Sequence, residues 1–194
     1  MNSPAGVSAI CPAVSEPGTL PTRAAAATLE CVDDARTLIL MRHAKSDWSG
    51  GEPDHDRPLA PRGRRQAPEA GRWLAAHVDR IDLAVVSSAE RARSTWSLAS
   101  AELAVAPPVR LDEAAYGASG HALLRLVREL PDDLTTVVLV GHNPGLEDLV
   151  SALTGAYVAM PTSALALVTV SGPWAGAGPT SARLEASGRP PQPR

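Results

Sequence analysis

Arg42-His43, directly after the apolar run Thr37-Leu-Ile-Leu-Met41, sets a permanently charged guanidinium, shaped to fork onto phosphate oxygens, beside an imidazole able to attack phosphorus near neutral pH. By itself the dipeptide is common and equally compatible with a solvated loop pair. Two other segments supply the partners that such chemistry needs. In Ser87-Ser-Ala-Glu-Arg-Ala-Arg-Ser-Thr95, Ser88 is a suitable N-cap, which places Arg91 in the first turn of a helix. The helix dipole disfavours a cation there by about 0.3–1 kcal/mol. Arg91 is then either a clamp over a sheet edge or an exposed residue paired with Glu90 or Glu102. In Gly141-His-Asn-Pro-Gly145, Gly141 lets the backbone approach a ligand, Asn143 is expected to cap the next helix, and Pro144 suits its first turn. Free amides at that helix start would face an anion, and His142 at the hinge would donate to it. The other reading of His142 is a histidine satisfied inside a turn.

The elements that must position these groups are legible as an alternation. Thr37 to Met41, Leu83 to Ser87 and Thr136 to Val140 are short runs rich in Leu, Ile and Val, and read as strands buried on both faces. Residues 61–78 place Ala67, Ala70, Gly71, Leu74 and Val78 on one helical face, and residues 119–130 do so with Leu123, Leu126, Val127 and Leu130. After Pro144 the rule repeats with Leu146, Leu149, Val150 and Leu153. Ala164 to Val170 is expected to add a strand, with Ser181 to Ala186 pairing to it across the Gly/Pro-rich turn 172–179. Such alternation predicts a three-layer α/β/α sandwich with a mainly parallel central sheet and right-handed crossovers. Ligands of open α/β sheets bind beyond the carboxyl ends of the strands, where Arg42-His43, Ser88 with Arg91, and Gly141-His142 would converge.

The 194 residues suit one domain over 36–187, with a Pro-, Ala- and Ser-rich extension at 1–35 expected to be disordered and a flexible tail at 188–194. A net charge of -3 argues against a protein whose main partner is the nucleic-acid backbone or an anionic membrane. Cys11 and Cys31 both precede the first strand, so the body is expected to use neither thiol chemistry nor a disulfide, which fits a reducing compartment. No apolar run reaches the length of a membrane span, and residues 1–20 lack the basic-then-apolar order of a secretory signal. The expectation is a cytoplasmic protein.

Taken jointly, Leu40-Met-Arg-His-Ala-Lys-Ser46, Asp56-Arg-Pro-Leu59, Arg62-Gly63 and Gly141-His-Asn-Pro-Gly145 resemble the histidine phosphatase superfamily over residues 36–186. Within it they are similar to the small branch of the phosphohistidine phosphatase SixA. The motif that usually reads Arg-His-Gly is Arg42-His43-Ala44 here. The resemblance implies a phosphoglycerate mutase-like fold and a metal-independent phosphatase without cofactor. In it His43 is the nucleophile that carries a transient phosphohistidine, and Arg42, Arg91 and His142 hold the equatorial oxygens. Glu113, in Leu111-Asp-Glu-Ala-Ala-Tyr-Gly117, aligns with the position of the general acid, with Asp112 as its rival and a solvated carboxylate at a strand end as the bland reading.

Lys45, Ser46 and Arg57 are expected to line or frame the substrate pocket, and Arg62 to add to its positive field. Asp54-His55-Asp56 imitates a metal triad, but neighbours on an extended segment face opposite ways and do not readily share one ion. Trp73 and Trp96 are expected to pack on helix surfaces. About 25 residues separate Tyr116 from His142, too few for a large covering insertion, so the pocket should be open. A phosphohistidine on a protein, such as a phosphotransfer domain, is the implied substrate. Small phosphoesters are the alternative, and a non-catalytic phosphoprotein-binding module is the alternative outside enzymes.

Overall fold

The computed structural model describes residues 35–189 and 191–193. Both cysteines and the expected extension lie outside the described residues, apart from Ala35, which opens the first strand. The elements are β1 (Ala35–Arg42), α1 (Pro61–His77), β2 (Leu83–Ser87), α2 (Glu90–Ser100), β3 (Val109–Asp112), α3 (Gly120–Arg128), β4 (Thr136–Gly141), α4 (Gly145–Thr154), β5 (Leu165–Ser171), β6 (Ala182–Gly188) and β7 (Pro191–Pro193). Short 3-10 turns lie at Asp54–Asp56, Glu113–Ala115 and Trp174–Gly176.

One sheet of order β3-β2-β4-β1-β5-β6-β7 carries the fold. The pairings from β3 through β1 are parallel, and those from β1 through β7 are antiparallel. Five strands, β1 to β4 and β6, therefore point one way, and the sheet is mainly parallel in direction. The apolar runs feed two layers because successive strand side chains face opposite sides. Leu38, Leu40, Val137 and Leu139 pack with α3 and α4 through Leu123, Val127, Leu146 and Leu149. Ile39, Met41, Val138 and Val140 pack instead with α1 and α2 through Leu74, Ala92 and Trp96. This gives the three expected layers, and the strand and helix faces read from the sequence are the buried ones.

Two departures have local causes. The end of the chain was expected as a tail, yet Pro191–Pro193 pairs antiparallel with β6, so the sheet continues past Gly188. Proline is compatible with that position because an edge strand leaves alternate backbone groups unpaired by any neighbour. β3 escaped the hydrophobic pattern because it is the opposite edge: Val109 and Leu111 are exposed.

Register alone assembles the functional edge. Arg42 pairs with Gly141 across β1 and β4, while Val86 pairs with Val140 across β2 and β4. The carboxyl ends of three parallel strands thus finish at one level. On the far side of β1, the Arg42 N–H donates to the Ala164 carbonyl at 3.0 Å, and the Ser163 N–H reaches the Arg42 and His43 carbonyls, each at 3.2 Å. The helical layer on the α1 side is fitted closely around two glycines. A Cβ on Gly71 would stand 2.2 Å from the Ala99 carbonyl oxygen, and one on Gly63 would stand 2.1 Å from that of Lys45. We expect Gly71→Ala to force α1 off α2 and to destabilise the fold by about 1–3 kcal/mol, read as a lower urea midpoint with an unchanged m-value.

Candidate active site

His43 leaves β1 with its backbone fixed by the sheet: its N–H donates to the Gly141 carbonyl at 3.1 Å. The next residue explains how Ala44 replaces the more usual glycine. The Ala44 methyl is fully buried against Leu59 and Ala67, and its N–H donates to Thr95 Oγ1 at 2.9 Å. The His43 side chain is 9% exposed, and its Nδ1 lies 2.7 Å from the Ala44 carbonyl oxygen. A carbonyl can only accept, so Nδ1 carries the proton and Nε2 keeps its lone pair. Burial, followed by the cations Arg91, Arg42 and Arg57, pushes the His43 pKa down to about 4. The imidazole is neutral at pH 7 and can act as a nucleophile.

His142, at the end of β4, stands with its ring 4.9 Å from that of His43. Its Nε2 is 2.8 Å from Ser87 Oγ. Burial, then His43 and Arg91, lowers its pKa to about 3, so it too is neutral. The Ser87 oxygen accepts from the Ala89 N–H, and when its own hydroxyl donates to His142 Nε2 the imidazole proton sits on Nδ1. That Nδ1 is buried without a hydrogen-bond partner among the described residues, as are Arg42 Nε and Arg91 Nε. Buried donors of this kind are costly unless something accepts from them. Arg42, Arg91 and His142 also line one cavity, so an oxyanion seated there would face two guanidiniums and an imidazole, as in a phosphoryl clamp.

Arg91 is not the exposed residue of the bland reading. It is 5% exposed and donates through Nη1 to the Asp54 carbonyl and through Nη2 to Asp54 Oδ2 at 3.0 Å, while Arg93 pairs with Glu90 and Arg72 with Glu102. Asp54 is the residue that sequence reasoning missed. Its Oδ1 accepts from Arg57 Nε and Nη2 at 3.0 and 2.8 Å, and its Oδ2 also accepts from the Tyr116 hydroxyl at 2.7 Å. The Tyr116 hydrogen bond, then Arg57 and Arg91, holds the Asp54 pKa down at about 2 against the opposing effect of desolvation. Asp54 was grouped with His55 and Asp56 as a false metal triad. The 3-10 turn instead separates them: His55 Nε2 turns to Ser88 Oγ at 2.9 Å and its Nδ1 to Asp56.

These groups surround a cavity of about 360 Å³. Arg42, Lys45, Ser46 and Arg57 line it as expected, with Arg57 Nη1 donating to Ser46 Oγ at 2.8 Å. Arg42 spends one arm on the Met160 carbonyl, at 2.7 Å. Glu113 does not line the cavity. It occupies a neighbouring depression with His55 and Ser88, where its Oε2 accepts from Ser88 Oγ at 2.8 Å. Asp112 accepts from the Ala114 N–H and pairs with Arg110, which commits it to the turn. Arg62 also falls outside the cavity lining.

Both expected caps are corrected. Ala89 is the N-cap of α2, and Ser88 reaches Glu113 instead. Pro144 is the N-cap of α4, and Asn143 Nδ2 donates to the Met160 carbonyl at 3.0 Å. The Leu146 amide returns to the His142 carbonyl, so it does not face the cavity as a free donor.

Residues 38–136 match the family model of the histidine phosphatase superfamily, branch 1. The chain belongs to that superfamily. A Mycobacterium tuberculosis protein of uncharacterised function is 38% identical over 155 residues, covering 74% of this chain and 96% of that one. Among solved structures, a chain from Nakamurella multipartitia assigned as a SixA phosphohistidine phosphatase is 31% identical with a TM-score of 0.69, covering 82% of this chain and 96% of that one. A second, from Agrobacterium tumefaciens and assigned likewise, is 28% identical with a TM-score of 0.69, covering 80% and 98%. Histidine phosphatase membership makes the chain a phosphatase-type hydrolase, and these neighbours are of the SixA-like branch.

Two outcomes follow from the geometry of this histidine phosphatase. His43 and His142 should stay unprotonated down to pH 5 in a histidine NMR titration. Their folded-state pKa values lie below the ordinary 6.5, so the unfolded chain binds protons that the fold refuses, and stability should fall as pH drops from 6.5 toward 4. Asp54→Asn should misplace Arg57 and Arg91 and lower stability, and it should reduce kcat/KM by about 10–100-fold with p-nitrophenyl phosphate at a temperature where the variant is folded by circular dichroism.

Proposed function

We propose that this histidine phosphatase is a protein phosphohistidine phosphatase that works through a phosphohistidine on His43. The observation that carries the reading is the acid content of the cavity. Among the described residues, Asp54 is the one carboxylate lining it, and that group is held ionised by Tyr116, Arg57 and Arg91. Glu113 lies next door, bonded to Ser88. A sugar or alkyl phosphate must expel a strongly basic alkoxide, which needs a proton from a nearby acid. A phosphohistidine protonated on its second ring nitrogen expels a neutral imidazole, whose conjugate acid has a pKa near the ordinary histidine value of about 6.5. Such a leaving group departs without an acid.

The steps balance on these terms. His43 Nε2 forms a bond to phosphorus as the P–N bond of the substrate breaks, and the substrate histidine leaves neutral. Arg42, Arg91 and His142 hold the three equatorial oxygens, the task for which metal ions are used in other phosphoryl transferases. Water then attacks the same phosphorus, and His43 leaves as a neutral imidazole because Nδ1 already carries its proton toward the Ala44 carbonyl. Inorganic phosphate is released. A single helix, α3, lies between Tyr116 and β4, which supports an open mouth able to take a side chain from a phosphorylated protein. Both cysteines precede residue 36, and a body free of disulfides suits the cytoplasmic setting of this reading.

In EDTA, we expect the protein to dephosphorylate a phosphohistidine-bearing phosphotransfer domain with kcat/KM at least about tenfold above a panel of sugar and nucleotide monophosphates, a difference of roughly 1.4 kcal/mol in transition-state binding. Rapid quenching should trap an acid-labile, base-stable phosphoryl label that His43→Ala lacks. Preference for a monophosphate would assign a small phosphoester, and binding without turnover would make the chain a phosphoprotein-binding module.

A further inference from the structure

Trp48 is 69% exposed and yet lines the same cavity as His43. The Arg57 guanidinium covers one face of its ring, with its central carbon 3.4 Å from the ring centroid. That guanidinium is itself immobilised. It is 8% exposed and bonded to Asp54 Oδ1, Ser46 Oγ and the Asp47 carbonyl. The backbone on either side is tied down as well: the Asp47 N–H donates to the Pro58 carbonyl at 2.8 Å, and the Ser49 N–H to Asp47 Oδ1 at 2.9 Å. An indole stacked on a fixed cation cannot fold over to bury its second face, which therefore stays open at the mouth of the cavity. Arg57 also withdraws no hydrogen-bonding capacity from the substrate, because its donors are already engaged by the loop.

A phosphoryl group seated between Arg42, Arg91 and His142 must point its leaving group away from His43 for in-line attack, and Trp48 is the exposed aromatic side chain that lines the same cavity. We propose that Trp48 is a stacking platform that selects substrates whose leaving group is a planar aromatic ring. It rests on the phosphohistidine reading for the identity of that ring, an imidazole on a protein surface. Stacking on Trp48 discriminates phosphohistidine from phosphoamides and phosphoesters with saturated leaving groups. It also answers how an open pocket without a covering insertion achieves selectivity: one π-face does so with little buried area.

The test uses two small P–N substrates, phosphoimidazole with a planar ring to stack and phosphoramidate without one, and the full chain with the variants Trp48→Ala and Trp48→Phe, so that leaving-group basicity cancels in the change of ratio between variants. Inhibition by inorganic phosphate serves as the readout of the anion clamp. In Trp48→Ala the ratio of kcat/KM for phosphoimidazole over phosphoramidate should fall about tenfold, the size of one aromatic stacking contact, and Trp48→Phe should keep it within about threefold of wild type. An unchanged ratio, or a loss matched by an equal rise in the phosphate inhibition constant, would overturn the proposal, because Trp48 would then merely support Arg57. If the wild type leaves both P–N substrates intact and hydrolyses p-nitrophenyl phosphate, the phosphohistidine reading fails. The platform is then judged on p-nitrophenyl phosphate against acetyl phosphate, where a loss confined to the aryl ester upholds it and an equal loss rejects it.

Discussion

The Asp54 carboxylate is the group on which the geometry of the site depends. Burying two guanidiniums as deeply as Arg57 and Arg91 is tenable only beside an anion, and Asp54 serves both, one oxygen to each. It could have defeated the chemistry had it stood closer to the imidazoles. A carboxylate favours the protonated form of a neighbouring histidine, and its pull on His142 is indeed opposite in sign to the others. Burial and the positive field win at both rings. The carboxylate is thus near enough to hold the arginines and too far to protonate the nucleophile.

The same interaction joins parts of the chain that the sheet does not. Asp54 and Arg57 belong to the segment between β1 and α1, Arg91 to the first turn of α2, and Tyr116 to the turn after β3. The sheet sets the positions of His43 and His142 through backbone register, with tolerances fixed by strand pairing. The Arg57 and Arg91 guanidiniums hang on a loop and a helix start, and the shared carboxylate ties the two to each other. Tyr116 completes the arrangement, its hydroxyl on Asp54 and its ring edge-on to both His55 and His142. The cation in the first turn of α2, mildly unfavourable for the helix dipole, is explained by the same contact.

What could be read in advance follows from the range of each interaction. Strands, helix faces and the two buried layers were legible because periodicities of 2 and 3.6 are local. The strand-end residues Arg42, His43 and His142 were legible because they follow strands at fixed offsets. Both predicted caps failed for one reason: Ser88 and Asn143 find long-range partners, Glu113 and the Met160 carbonyl, that displace local capping. Asp54 and Tyr116 were missed because their partners lie 37 and 62 residues away. A charge inventory held a partial clue: a site assembled from three arginines favours a nearby carboxylate, and Asp54, three residues before Arg57, was one candidate beside Asp47, Glu52 and Asp56.

Glu113 is where resemblance and geometry part, and the difference bears on chemistry more than on alignment. In phosphoester hydrolysis the first step needs an acid for the departing alkoxide, so an acid beyond the cavity would leave that step slow. With phosphohistidine both half-reactions expel the same kind of group, a neutral imidazole, first from the substrate and then from His43 itself. The nucleophiles differ, an imidazole and then water, but neither departure waits on a proton. On this reading the tautomer imposed on His43 by the Ala44 carbonyl matters twice: it exposes the attacking lone pair, and it prepares the same nitrogen to leave when water arrives. Release of His43 to water is the same step whatever the substrate, so the two substrate classes differ in the first step alone, where only the alkoxide needs an acid.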